Sequence, residues 1–275
     1  MSLPPFIRQF ADWIINHFRI IDEECLKEGN ERRKKAYITV SVLISSAVFL
    51  TCLNYIVLNY DNQVAVSAKM KEFFGGLPDG GVKDFLLRFS PVYKNISWSL
   101  GCLFFYFVFP ALFARFVLRI PLKELGLSTA GFFRHFYIYI LLFIPVLAAV
   151  IAVSYTEAFQ ETYPFYRHPD GIAHLIVWEV FYSLQFFALE FFFRGYIVHS
   201  LKWRFGSCAI FVMAVPYCMI HFQKPMAETL AAILAGVTLG VLSLRTNNIF
   251  GGVFIHSLVA VSMDVASLIQ RGYKF

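Results

Sequence analysis

The chain has 275 residues, 58% of them hydrophobic and 32 of them Phe, with a mean hydropathy of +0.62. No soluble domain of this size is ordinarily so apolar, so a water-soluble class is excluded. The formal charge of +6 follows membrane orientation and carries no implication of nucleic-acid binding.

Seven apolar runs are long enough, or nearly so, to cross a bilayer as helix: about 36–60, 97–118, 131–155, 173–199, 206–222, 226–244 and 248–269. The fifth and sixth are short. Loops and sheet edges cannot face lipid, so the expected fold is an all-α polytopic membrane protein. It is a bundle of about seven transmembrane helices with an N-terminal interfacial amphipathic helix. Three segments follow: a cytoplasmic amphipathic and basic segment at 1–35, two spans with a long outer loop at 36–119, and a membrane core at 120–275.

Residues 3–24 place Phe6, Ile7, Phe10, Trp13, Ile14, Phe18 and Ile21 at helical spacing, with Arg8, Asp12, Arg19 and Asp22 between them. That pattern suits a helix lying in the headgroup layer. Arg8, Arg19, Lys27, Arg32, Arg33, Lys34 and Lys35 precede the first span and put that end in the cytoplasm. Arg115, Arg119 and Lys123, and later Lys202 with Arg204, then also fall inside, while the outer 156–172 loop carries only Arg167. The 61–95 loop departs from the pattern with Lys69, Lys71, Lys83, Arg88 and Lys94 outside; long loops obey the rule less strictly. Its breakers Gly75-Gly76 and Gly80-Gly81 separate short aromatic segments, read as interfacial. The first span is expected to serve as an uncleaved signal-anchor.

Cys52, Cys102, Cys208 and Cys218 lie in apolar runs without paired spacing, which suggests neither a disulfide framework nor a zinc ribbon. The connector Glu124-Leu125-Gly126-Leu127 leads to an expected helix start at Ser128 or Thr129.

The fourth span holds Leu189-Glu190-Phe191-Phe192-Phe193-Arg194-Gly195. At about 100° per residue, Glu190 and Arg194 share one helix face. A lone carboxylate at membrane depth costs at least ~2.5 kcal/mol, and a cation four residues on offsets part of it. Such a pair is either a structural pin or the start of a functional site. Glu179, eleven residues earlier and close to three turns away, shares the Glu190 face. His199 lies on the opposite face.

The fifth run ends Tyr217-Cys218-Met219-Ile220-His221. Pro225 restarts a helix with Glu228 in its first turn, where a carboxylate suits the helix dipole. A tight turn there would also let His221 and Glu228 pair. Gly236 and Gly240 form a small-residue seam for close packing. The last span carries His256, with Asp264 two turns later. Two histidines and a Glu–Arg pair, all on apolar spans, favour a site over coincidence.

The order E-x-x-x-R-G (Glu190, Arg194, Gly195), aromatic-x-x-x-H (Tyr217, His221), then His256 after Gly251 resembles the CPBP family of intramembrane proteases. That family includes the CAAX prenyl proteases and bacteriocin-processing and immunity-related membrane proteins. The connector at 124–127 is similar too, and the resemblance covers about residues 120–265. The family's first motif usually reads E-E-x-x-x-R, with the first Glu assigned to water activation; here that place is Leu189. Its third motif usually reads H-x-x-x-N or H-x-x-x-D; here the last place is Ala260, with Asp264 one turn on. A single-Glu first motif is similar to branches that process C-terminal sorting signals, the myxosortase-like proteins.

The resemblance implies an intramembrane endopeptidase acting on a membrane-anchored protein, or a sorting or lipidated C-terminal segment, in a bacterial inner membrane. Glu190 would be the base, Arg194 its partner, His221 the group that orients water, His256 the oxyanion donor, and Glu228 a contributor. Alternatively, Glu190, His221 and His256 would ligate Zn with one position open for water. The competing class is a catalytically inactive immunity, scaffold or pseudoprotease protein, for which Leu189 and Ala260 speak. A transporter would call for an internal repeat or a pair of broken helices, and neither stands out.

Overall fold

The computed structural model describes residues 5–25, 32–167 and 169–273. Lys27 of the basic segment lies outside the described residues, as do the side chains of Phe6, Ile7, Arg8, Phe10, Ile14, Arg32 and Arg33. Among the described residues the secondary structure is helical throughout, with no strand. In chain order the helices are α1 (Pro5–Cys25), α2 (Lys34–Val57), α3 (Tyr60–Gly75), α4 (Gly81–Arg88), α5 (Ser90–Val117), α6 (Phe133–Val153), α7 (Glu157–Thr162), α8 (Ile172–Phe205), α9 (Cys208–Met219), α10 (Met226–Thr246) and α11 (Phe250–Gln270). Helices α2, α5, α6, α8, α10 and α11 are long and apolar enough to cross a membrane. Helix α6 shows why: Leu141 and Ile144 are 67% and 57% exposed, an arrangement stable only against lipid. The protein is an all-α integral membrane protein.

The fifth expected span, 206–222, is the shorter apolar helix α9. Its 12 residues rise only ~18 Å, well short of a ~30 Å hydrocarbon core. The 61–95 stretch is a helical pair, α3 and α4. The Asn59 side chain caps α3 by accepting from the Asn62 N–H at 3.0 Å, and the glycine pairs separate the two helices. Helix α5 begins at Ser90 rather than near 97. The expected start at Ser128 or Thr129 is instead a turn, where the Ser128 hydroxyl accepts from the Ala130 N–H at 3.3 Å. Gly131, at φ +78, keeps helix from forming there, and α6 starts at Phe133.

The chain divides into two compact units. The first comprises Met1–Ser46, Pro110–Tyr137 and Glu190–Gly252. In it α9 packs closely on α10. A Cβ at Gly240 would meet the Ile210 side chain at 2.8 Å, and one at Gly236 would meet the Tyr217 ring at 3.1 Å. The small-residue seam therefore holds a neighbouring helix, as its spacing predicts. Helix α1 docks on the same unit. Asp22 Oδ1 accepts from the Ser207 N–H at 2.6 Å, at the start of α9, and Phe18 meets Phe211 edge-on at 5.4 Å. A carboxylate at that end also complements the helix dipole.

The second unit comprises Ala47–Phe109, Ile138–Leu189 and Val253–Phe275. Its core is aromatic: Trp178 stacks on Tyr182 at 4.7 Å, and Trp98 lies 6.0 Å from Trp178. Ala260 is buried in this cluster with Phe186 and Leu268. The Ser267 hydroxyl donates to the Tyr163 carbonyl at 2.6 Å, tying α11 to the turn after α7.

Candidate functional site

The first unit contains Glu190, Arg194, His221 and Glu228. Glu190 ends the regular part of α8; a nine-residue wide-turn segment, Phe191–His199, follows before α-helix resumes. Wide helical turns are rare and are frequent at functional sites; shorter ones also interrupt α2 at Leu53–Val57 and α5 at Phe104–Val108 and Phe113–Val117. All nine of its residues are buried. Arg194 Nη1 and Glu190 Oε1 are 3.0 Å apart, with both side chains wholly excluded from solvent. The sequence-predicted pair therefore forms.

Two glycines shape this pair. A Cβ at Gly252 would fall 2.3 Å from Glu190 Oε2 and 3.0 Å from its Cδ. The carboxylate thus rests directly on the backbone at the start of α11, where only glycine leaves room. At Gly195, a Cβ would fall 2.7 Å from the Leu125 carbonyl oxygen. Gly195 therefore lets α8 lie against the 124–127 connector backbone to backbone. The connector is fastened in turn to the entry of α11: the Ile249 N–H donates to Gly126 O at 3.1 Å, and Asn248 Nδ2 donates to Ala130 O at 3.2 Å. Gly126 has φ +79, the left-handed geometry that glycine adopts without strain. Sequence reading found the connector and the Arg-Gly dipeptide but not Gly252; the Gly251-Gly252 pair opening an apolar span was the available signal.

Tyr217 links the first motif to the second. The Arg194 guanidinium lies over its ring, 4.1 Å from the centroid, and Phe193 meets it edge-on at 5.1 Å. A desolvated guanidinium on an aromatic face is favourable by about 2 kcal/mol. Tyr217 also positions His221, one turn on. The His221 Nδ1 lies 2.8 Å from the Tyr217 carbonyl oxygen. A carbonyl only accepts, so Nδ1 carries a proton and donates to it. The Thr229 hydroxyl donates to the His221 carbonyl at 2.7 Å, closing the turn between α9 and α10. Glu228 sits in the first turn of α10, as expected, 3.2 Å from Lys224 Nζ. Both members of that pair are about one-fifth exposed.

The second unit contains His256, Glu179 and Asp264. The His256 ring lies 4.4 Å from Phe186, tilted by 30°. Asp264 is fully buried and accepts from Trp178 Nε1–H at 2.8 Å. Both Glu179 carboxylate oxygens are buried without a hydrogen-bond partner among the described residues. Leu189 is 6% exposed and Ala260 4%. Each thus fills an apolar position where the resembled family has a polar one. His199 is only 1% exposed. Lys202 Nζ lies 3.4 Å from its Nδ1, and its Nε2 lies 3.0 Å from the Ser243 hydroxyl.

Among the described residues, no three His, Cys, Asp or Glu side chains gather as a metal-ligand set.

A family model described as type II CAAX prenyl endopeptidase Rce1-like matches residues 171–262. The matched stretch contains Glu190, Arg194, His221, Glu228 and His256 and leaves out the 124–127 connector and Asp264. No curated protein and no solved structure matches the chain.

Proposed function

We propose that this chain, a member of the CAAX protease family through residues 171–262, is an intramembrane endopeptidase that cleaves a membrane-associated protein. The observation that carries this reading is the Glu190 carboxylate. It is fully buried within a span and ion-paired to Arg194, inside the stretch that matches an endopeptidase family. Ionisable groups kept at such cost in a membrane usually have a task.

In the proposed reaction Glu190 takes a proton from a water molecule. The hydroxide attacks the scissile carbonyl carbon, and the carbonyl oxygen becomes an oxyanion. Collapse of the tetrahedral intermediate breaks the C–N bond, and the amine leaves with the proton held by Glu190. Arg194 holds the carboxylate in place. His221, with Nδ1–H on the Tyr217 carbonyl, orients the water through Nε2. His256 donates to the oxyanion, and Glu228 contributes charge near His221. The substrate is a prenylated or otherwise lipid-anchored C-terminal segment or a sorting signal. The N-terminal end lies on the cytoplasmic side of a bacterial inner membrane. A zinc form of this reading would take Glu190, His221 and His256 as ligands, although these do not gather as a metal-ligand set among the described residues.

The test uses purified wild type and the Glu190→Gln, His221→Ala and His256→Ala variants in nanodiscs. Folding is checked by thermal melt, and cleavage is assayed on a prenylated tetrapeptide-tailed substrate and on co-expressed membrane proteins. Glu190→Gln keeps the shape and removes the base, so activity falls by about 10²–10⁴-fold. Loss of wild-type activity on chelation, restored by Zn²⁺, would select the zinc form. A folded Glu190→Gln variant that cleaves like wild type would refute the role given to Glu190. A wild type that cleaves nothing would favour the inactive alternative.

A further inference from the structure

The first unit contains a cavity of about 300 Å³ that involves none of the residues in the proposed reaction. Four cations line it, Lys34, Lys35, Arg119 and Arg204, against a single carboxylate, Glu124. Among the described residues Arg119, Arg204 and Glu124 are in no ion pair, so Glu124 does not neutralise the arginines. The cations come from distant parts of the chain: the start of α2, the end of α5 and the end of α8. They converge on one cavity although like charges repel.

A second observation points to a ligand. Ser200 also lines the cavity and is only 4% exposed, yet its hydroxyl has no hydrogen-bond partner among the described residues. Buried hydroxyls are ordinarily paired, and an orphan beside a basic cavity calls for an acceptor from outside the chain. A phosphate offers acceptor oxygens for a hydroxyl and for arginine forks together.

The surroundings say where that phosphate comes from. The cavity opens at the ends of three membrane-spanning helices, and Leu118, Ile120 and Trp203 share its wall with the cations. Trp at this depth is characteristic of the membrane interface. An apolar wall beside a basic one accommodates a glycerol backbone and the first acyl carbons under a charged headgroup. Basic pockets between spans are built for anionic headgroups. We propose that this cavity binds the phosphate of an anionic phospholipid, with Arg119, Arg204 and Ser200 as its direct ligands and Lys34 and Lys35 supplying long-range attraction.

Trp203 supplies its own reporter. The full-length protein is placed in phosphatidylcholine nanodiscs doped with brominated phosphatidylglycerol or, separately, brominated phosphatidylcholine. The quenching of Trp203 is taken as the difference between wild type and Trp203→Phe. Wild type is expected to prefer phosphatidylglycerol. The preference is expected to fall by about fivefold for each cation removed in Arg119→Gln and Arg204→Gln, and to fall further in Ser200→Ala. Far-ultraviolet circular dichroism confirms that each variant is folded; Arg119 and Arg204 are exposed side chains, so their replacement leaves the helices intact. Equal quenching by both lipids, or an unchanged preference in the folded double arginine variant, would overturn the proposal. Removal of the preference by millimolar inorganic phosphate, but not by chloride at equal ionic strength, would overturn the lipid assignment in favour of a soluble phosphate.

Discussion

Glu190 is constrained from two sides: Arg194 holds Oε1 at 3.0 Å, and the backbone of Gly252 lies against Oε2. Each contact predicts a different outcome. Arg194→Ala leaves a carboxylate buried without its cation, at a cost of about 3–5 kcal/mol. Arg194→Lys keeps the charge but gives up the planar contact with Tyr217, and it loses less. Thermal melts in detergent should therefore rank wild type above Lys and Lys above Ala; a stable, fully active Arg194→Ala protein would contradict the need for the partner. Gly252→Ala acts differently, because it leaves both charges and moves the carboxylate. A displacement of about 1 Å in a reacting group costs on the order of 10²-fold in rate. Activity is expected to fall by that order while the Glu190–Arg194 charges remain; unchanged turnover would show that the carboxylate relaxes freely. The i,i+4 pair was legible in the sequence because helical period alone brings those residues together. Gly252 was not, because its partner lies sixty-two positions away.

Among the elements, α8 does the most to position the site. Its wide-turn segment, Phe191–His199, carries Arg194 and Gly195 against two neighbours, Tyr217 on α9 and the 124–127 connector. Gly195 has its place through the Leu125 carbonyl, 2.7 Å from where a Cβ would stand. A backbone oxygen cannot swing aside as a flexible side chain can. Gly195→Ala therefore forces α8 and the connector apart, with an expected loss of about 1–3 kcal/mol, read as a lowered melting temperature. A melt like that of wild type would mean that the connector yields. Periodicity located α8 and the Arg-Gly dipeptide, but hydropathy has no signature for a change of helical turn width. Its length hides a similar lesson at α9, where an apolar run that reads as a span holds a helix of only 12 residues.

For the whole molecule, sidedness follows from which helix ends meet. Lys34, Arg119 and Arg204 line one cavity, so the start of α2 and the ends of α5 and α8 face the same side. Reporter fusions at residue 30 and within the 156–172 loop are expected to report opposite sides of the membrane, the first cytoplasmic; the same side for both would defeat this topology.

The sequence by itself determined the class and the approximate spans, and it singled out the polar residues proposed for the site. Hydropathy and helical period are one-dimensional properties, and a bilayer penalises every exception to them. It also ordered the motifs along residues 124–256. Only the tertiary structure decided what each motif touches. Arg194 lies over Tyr217, Gly195 on Leu125, and Gly252 under Glu190, and a separate basic cavity forms from three helix ends. These are contacts between residues far apart in the chain. They depend on how closely helices approach, which is set by where a side chain is missing, and no local pattern encodes that.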